Sequence, residues 1–142
     1  MANDPTGPLA LAVLAALTTP AITYTEGGTN TVTVHQRVPD EFTNEQINAV
    51  IVVANINLGP TESKDATPFR ASVTIQISYR GRSLASLQSI MGQVFQRLQK
   101  VTLTVTGFTV GECTLLTSDV GGEADEANLV HVGRQTFEVM FL

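Results

Sequence analysis

The chain has 142 residues and a mass of 15.1 kDa, which fits one domain spanning residues 1–142 with a core that needs no cross-link. Only 15% of the residues are charged, against about a quarter in an average soluble domain, so much of the surface must be neutral. One cysteine, Cys113, excludes an internal disulfide and a cysteine-rich zinc site. A pI near 4.8 and the absence of tryptophan argue against sequence-specific nucleic-acid binding.

Charge is divided unevenly along the chain. Residues 1–69 carry seven acids and two bases, residues 70–100 carry five bases and no acid, and residues 101–142 carry six acids and one base. The three segments therefore have formal charges of −5, +5 and −5. This pattern fits charge complementarity inside one monomer, and it equally fits a head-to-tail contact between the basic centre of one copy and an acidic segment of the next.

The N-terminal part predicts a helix followed by a hairpin. Gly7-Pro8 resembles a helix start, the apolar run Leu9–Leu17 continues it, and Pro20 stops it. The run is too short to cross a bilayer, so we expect no membrane association. Two alternating stretches flank the Gly27-Gly28 turn, which is typical of a β-hairpin.

The strongest pattern lies in the middle of the chain. From Phe69 to Arg80 apolar and polar residues alternate strictly, which indicates a strand with one buried face. After Gly81-Arg82 the period changes to three and four, which predicts an amphipathic helix over about residues 83–100. The apolar run Ala49–Ile56 before this unit predicts a strand buried on both faces.

The last third is predicted to contain two strands separated by a loop. Val101–Val110 alternates with threonine and slips at Gly107, where we expect a bulge or bend. Thr117–Asn128, like Asn57–Pro68, is polar and contains glycine, so both are predicted to be mobile connections. The predicted fold class is α+β, with a mixed, mainly antiparallel sheet and two helices packed on it, one near the N-terminus and one at about residues 83–100.

No motif predicts catalysis, a cofactor or a metal. Gly81-Arg82-Ser83 is a relaxed form of the hydrolase nucleophile elbow, but Ser83 is better explained as the N-cap of the following helix. His35 and His131 lack the close-spaced partner of a helical metal pair. The acids of residues 119–126 do not have calcium-loop spacing, so a solvated acidic loop is the simpler interpretation.

Several stretches resemble the tail terminator, or tail completion, family of long-tailed bacteriophages and gene-transfer agents. They are the apolar helix, the strand ending in Val38-Pro39, the apolar run of residues 50–53, the alternating strand that leads through Arg80-Gly81 into the long helix, and the closing phrase of residues 131–139. The resemblance implies a structural protein without catalytic residues. Family members form a hexameric ring that caps the tail tube, ends tail elongation and presents the head-tail joining surface.

The same resemblance implies the partners and the location. We expect a homo-hexamer that contacts the tail-tube protein and a neck or head-completion protein, while genomic DNA passes through the ring without sequence-specific binding. The location would be the virion tail at the head-tail junction, after assembly in the host cytoplasm. The alternatives are another ring of the neck or tail, such as a head-closure protein or the tail-tube subunit, and a small α+β binding protein.

Nine residues are candidates for subunit or tube contacts. The polar face of the second helix carries short neutral side chains, which suits a subunit contact as well as an ordinary solvated face. Arginines near that helix and acids of the third segment have opposite charge. The candidates are Arg80, Arg82, Gln93, Gln96, Arg97, Asp119, Glu123, Asp125 and Glu126.

Overall fold

The computed structural model describes residues 6–25, 28–36, 49–58, 69–80, 84–125 and 128–142. Two helices and six strands are present in these ranges. In chain order they are α1 (Thr6–Thr18), β1 (Ile22–Thr25), β2 (Thr29–His35), β3 (Ala49–Leu58), β4 (Phe69–Arg80), α2 (Leu84–Leu98), β5 (Thr114–Asp125) and β6 (Asn128–Phe141). The predicted α+β class is confirmed, and the predicted helices and central strand lie within a few residues of their observed bounds.

The six strands form one mixed sheet in the order β1-β2-β3-β4-β6-β5. Only β2 and β3 are parallel, and the other neighbours are antiparallel. The predicted hairpin is β1 and β2, and Gly28 in its turn has a φ of 138° that disfavours other residues. β4 lies near the centre, where all twelve of its residues pair with β6.

The hydrophobic core lies between one face of this sheet and the two helices. β4 supplies the residues that alternation predicted, and Tyr79 packs edge-on against Tyr24 of β1 with ring centroids 5.6 Å apart. The predicted burial of β3 on both faces holds for its first five residues; a bulge follows at residues 53–55, and the rest of the strand is less buried. The β4 and α2 residues of the core are Ala71, Val73, Ile75, Ile77, Tyr79, Leu87, Ile90, Met91, Val94 and Leu98.

The sheet curls around α2, because this helix contacts β1 at one end of the strand order and β5 at the other. Helix α2 packs closely against β6. A Cβ on Gly133 would lie 2.5 Å from the sulfur of Met91, so a side chain there would force Met91 to move. Next to it, buried Gln135 donates from Nε2 to the Met91 carbonyl at 3.3 Å. The second helix therefore lies between the two edges of the sheet and borders both.

Two predictions for the last third are wrong. Val101–Val110 is irregular and forms isolated bridges, one from Thr102 to Glu112 and one from Val110 to Phe141 of β6. The bend expected at Gly107 is present as a tight turn, in which the Phe108 N–H donates to the Val105 carbonyl at 3.0 Å. The described part of Thr117–Asn128 is strand and not loop: Thr117–Asp125 completes β5 and Asn128 begins β6, and the two strands pair as far as Asp125 and Asn128. Acids and glycines looked typical of a connection, yet they are also tolerated on the solvent-facing edge of a sheet.

Parts of two further predictions lie outside the described residues. Asn57 and Leu58 finish β3, and residues 59–68 of the predicted Asn57–Pro68 loop are not among those described. The same holds for Ser83, the proposed N-cap of α2.

Candidate assembly surfaces

The β1 edge of the sheet is closed by side chains of α2. Gln93 donates from Nε2 to the Thr23 carbonyl at 2.6 Å, and its Oε1 accepts from the Thr23 N–H at 3.3 Å. Ser86, two helical turns before Gln93, lies with its Oγ 3.5 Å from the Thr25 carbonyl. Because Thr23 and Thr25 are two residues apart, both present their outward backbone groups to the same helix.

Arg97 extends this row and also holds the end of α1. Its guanidinium donates to the carbonyls of Leu17 at 3.3 Å, Ala21 at 3.3 Å and Pro20. The last carbonyls of a helix lack intrahelical partners and carry partial negative charge, so a cation placed there is favourable. Ser86, Gln93 and Arg97 together form what we call the closing row, which binds the edge from residue 21 to residue 25.

Among the described residues, few groups reach the opposite edge, β5. Gln99 at the end of α2 accepts from the Leu115 N–H at 2.7 Å. Within the described part of the chain, no hydrogen bond reaches the outer edge of β5 beyond Leu115. Leu116 and Val120 are 51% and 47% exposed, although large apolar side chains are usually covered.

Phe95 adds to this apolar surface. It lies one helical turn before Gln99 on the side of α2 that borders β5, and it is 38% exposed. The strand register places Val120 opposite Gly133, which faces α2. We call Phe95, Leu116 and Val120 together with the outer backbone of β5 the open edge.

Charged side chains lie on the face of the sheet opposite the helices. Asp119 of β5 pairs in register with Arg134 of β6, and both are exposed. Arg70 of β4 and Glu138 of β6 approach to 3.8 Å, with the arginine side chain 64% exposed. Exposed pairs of this kind contribute little stability, so their main effect is to set the surface charge.

The outer surface of the two helices is almost uncharged. α1 contains no charged residue, and Arg97 is the only one in α2. On α1, Leu11 is 65% exposed. The exposed positions of α2 between residues 85 and 96 are Ala85, Gln88, Ser89, Gly92, Phe95 and Gln96. We call these positions other than Phe95, together with Leu11, the helix surface.

The nine candidate contact residues fall into separate groups. Gln96 is exposed on the helix surface and Asp119 is exposed on β5. Gln93 and Arg97 come together in the closing row, where their polar atoms are bonded inside the chain. Arg80 is half-buried at the end of β4, paired in register with Val130. Glu123 and Asp125 belong to the backbone of β5, with their side chains outside the description, and Arg82 and Glu126 lie outside the described residues.

The described ranges contain few groups that could act in catalysis. No group of three or more His, Cys, Asp or Glu side chains that could hold a metal is found there. Burial raises the pKa of the Cys113 thiol to about 12, which keeps the sulfur protonated and unreactive near neutral pH. A recess of about 340 Å³ between the start of α1 and β3 is lined by uncharged residues. Among the described helices, none is both long and apolar enough to cross a membrane.

Sequence reasoning missed both edges. The closing row was visible only as polar positions on α2, and the identity of its partner strand depends on the curl of the sheet. Phe95 was a detectable signal, since it is an aromatic residue one position away from the apolar stripe at Val94. Leu116 and Val120 gave no recognisable pattern, because polar residues separate them in the sequence.

No protein family model matches the chain, and no curated protein sequence matches it. Among solved structures, the chain is similar to a chain from the virion of a native gene transfer agent particle. The two share 14% sequence identity, and the match covers 97% of this chain and 92% of the other with a TM-score of 0.61. At this identity the likeness shows a shared fold extending over nearly the whole length of both chains.

Proposed function

We propose that the chain is a non-enzymatic structural protein of a phage-like virion. More specifically, six copies close into a ring that caps the tail tube, ends tail elongation and provides the head-tail joining surface. The observation that carries the proposal is the fold shared with a virion chain over 97% of this sequence. The sequence resemblance to tail terminators and the scarcity of charge on the helix surface support it.

The helix surface is the proposed site of contact between neighbouring copies. An exposed helix in a monomer commonly carries charged pairs, whereas the exposed positions of α2 from residue 85 to residue 96 are uncharged. Gln96 lies in this surface and has no place in the closing row. Replacing Gln96 with Lys should leave the monomer folded and weaken the ring, because a charge would be buried at the contact.

A second proposed contact is ionic and joins the basic segment of one copy, or the tail tube, to acids of the next. Arg80 and Arg82 are its basic candidates, and Asp119, Glu123, Asp125 and Glu126 are its acidic ones. Arg97 and Gln93 are bonded within the chain. Substituting either of those two would disturb the monomer as well as a ring, so Arg82 is the better residue to reverse.

Charge also bears on how DNA would pass. Six copies with a formal charge of −5 each carry −30 together. An acidic channel repels phosphates, so a duplex slides through without adhering, whereas a basic channel binds it with strong salt dependence. Filter binding of duplex DNA to assembled rings should therefore be weak even at low salt; tight, salt-sensitive binding would contradict an acidic channel.

Electron microscopy of the purified protein, alone and with tail tubes, tests the ring directly. Sixfold rings at the ends of tubes are the expected result. Continuous tubes would instead identify a tube subunit, rings that bind heads but not tubes would identify a head-closure protein, and monomers under all conditions would favour a small binding protein.

Charge reversal tests the ionic contact. Arg82→Glu should reduce ring formation or tube capping, and Asp119→Arg in the same chain should restore part of it if the two residues meet across copies. Arg70→Glu is the matched control for the change in charge, because Arg70 is an exposed arginine that pairs with Glu138 in its own chain. Normal capping by Arg82→Glu would remove this contact from the proposal.

The non-enzymatic part has its own test. Ser83 is proposed to cap α2, so Ser83→Ala should lower the free energy of unfolding by about 0.5–2 kcal/mol. Covalent labelling of Ser83 by a serine-hydrolase probe would show a nucleophile instead and overturn the assignment.

A further inference from the structure

We infer that the open edge is a docking site for an extended segment of another protein, whose residues alternate between apolar and basic. The segment would add a strand beside β5. Its apolar side chains would contact Phe95, Leu116 and Val120, and its basic side chains would lie on the side of Asp119. This inference does not depend on the ring, since a monomer of this fold presents the same edge.

The first support is the contrast between the two edges. A strand at the edge of a sheet presents a row of unpaired N–H and C=O groups that can pair with another chain. At β1 this row is occupied by Gln93, Ser86 and Arg97. At β5 the bond from Leu115 to Gln99 occupies the beginning of the edge, and from Leu116 to Val120 every residue is exposed. Twelve residues make β5 long enough to align a peptide, whereas β1 has four.

The second support is the position of the exposed apolar side chains. Leu116 is 51% exposed, Val120 47% and Phe95 38%. All three border the same edge between α2 and β5. Phe95 lies one turn after Met91, which packs on Gly133, the register partner of Val120, and one turn before Gln99, which accepts from the N–H of Leu115 next to Leu116. In strand addition the backbone provides affinity and the alternate side chains provide specificity, so an added strand would cover these residues with its own apolar ones.

Charge identifies the occupant. β5 carries Asp119, Glu123 and Asp125 and no basic residue. Pairing of β5 with β5 of a second copy would bring these acids together, which is unfavourable. The alternative edge of a second copy, β1, has its backbone occupied by the closing row. A basic strand from a different protein would be attracted by these acids and would bring an unoccupied backbone edge of its own.

Titration of the ¹⁵N-labelled full chain with a designed peptide tests the site. The probe is a seven-residue peptide with free ends blocked and alternating lysine and valine. Its two controls replace each lysine with glutamate, or place a proline at the centre to remove a backbone donor. We expect amide shift changes and slowed hydrogen exchange in residues 116–120, with none at Thr23, and at least tenfold weaker binding of both control peptides.

Matched variants locate the contact on the protein. Val120→Lys should weaken binding of the lysine peptide at least tenfold, and Asp119→Asn should weaken it severalfold and reduce its salt dependence. Leu11→Lys should have no effect, since Leu11 is also apolar and exposed, at 65% against 47% for Val120, but lies on α1. No binding at millimolar peptide would overturn the inference, as would equal binding by the Val120 and Leu11 variants. So would self-association of the wild type that Val120→Lys abolishes, because a second copy would then occupy the edge.

Discussion

The two edges of the sheet lie on opposite sides of α2, and the side chains of this helix form hydrogen bonds to the backbone of one edge far more than to the other. On the β1 side, Gln93 reaches the Thr23 carbonyl of a four-residue strand, and Arg97 reaches the Ala21 carbonyl directly before that strand. On the β5 side lie an exposed Phe95 of α2 and the acceptor oxygen of Gln99, which directly follows the helix. A curled sheet brings both edges to the same helix, so one row of side chains can close only the edge that it faces.

The contrast between the two edges shows how a short edge strand such as β1 can be stable. A strand of four residues makes few ladder bonds, and isolated short hairpins are marginal in water. Helical side chains spaced over three turns supply the missing partners for β1. The longer β5 gains its stability from eleven paired residues of β6 and needs no such cover.

The largest effect is expected at Arg97. Arg97→Ala removes a cation from several carbonyls at the end of α1 and from the β1 edge, and hydrogen bonds to charged groups contribute about 1.5–3 kcal/mol. The free energy of unfolding in urea should fall by about 2–3 kcal/mol. Gln96→Ala, one residue earlier and exposed, is the control and should change it by less than about 0.5 kcal/mol. Equal effects would mean that the closing row does not stabilise the edge.

Gln93 should have the next largest effect. Gln93→Ala leaves the half-buried Thr23 without its two side-chain partners, which should lower the free energy of unfolding by about 1–2 kcal/mol. Hydrogen exchange at the Thr23 amide should accelerate, while exchange in β5 stays unchanged. The exposed Gln88 on the same helix provides the control, Gln88→Ala. If exchange at Thr23 does not change, Gln93 is not the group that protects it.

Cys113 reports on the segment that leads into the open edge. Its thiol has a pKa near 12 when folded and about 9.0 when unfolded, so above pH 9 the unfolded chain loses a proton that the folded chain keeps. Stability from this group is complete below pH 9 and declines as the pH rises toward 12. At pH 10 the free energy of unfolding should be lower by about 1.4 kcal/mol than at pH 8.

Other groups titrate in this range as well, so the comparison must be made against Cys113→Ala. The variant should lack this share of the decline while keeping the rest. Identical pH dependence in both proteins would mean that the thiol is accessible to water in the folded chain.

Periodicity predicted the fold where burial and local pattern coincide. β4 alternates because one face packs on the helices, and α2 follows its apolar stripe, so both were found from the sequence. β5 was missed because an exposed edge strand has no buried face to impose alternation, and its Gly121-Gly122 and acids resemble a loop. The closing row was missed because its partners are backbone atoms about seventy residues away. Such contacts leave no pattern in side-chain identity.

The sharpest test of openness, which includes the smallest expected effect, comes from one substitution made near each of the two edges of the sheet. Val→Thr keeps the shape of the side chain and replaces one methyl group with a hydroxyl, which is tolerated in water but costs about 1–3 kcal/mol where it is buried without a partner. Val32, which pairs with Ile22 of β1, is 3% exposed, so Val32→Thr should lower the free energy of unfolding by about that amount. Val120 is 47% exposed, so Val120→Thr should change it by less than about 0.5 kcal/mol. Equal losses in urea unfolding would mean that Val120 is covered in the isolated chain, and β5 could then not receive a partner strand without first uncovering it.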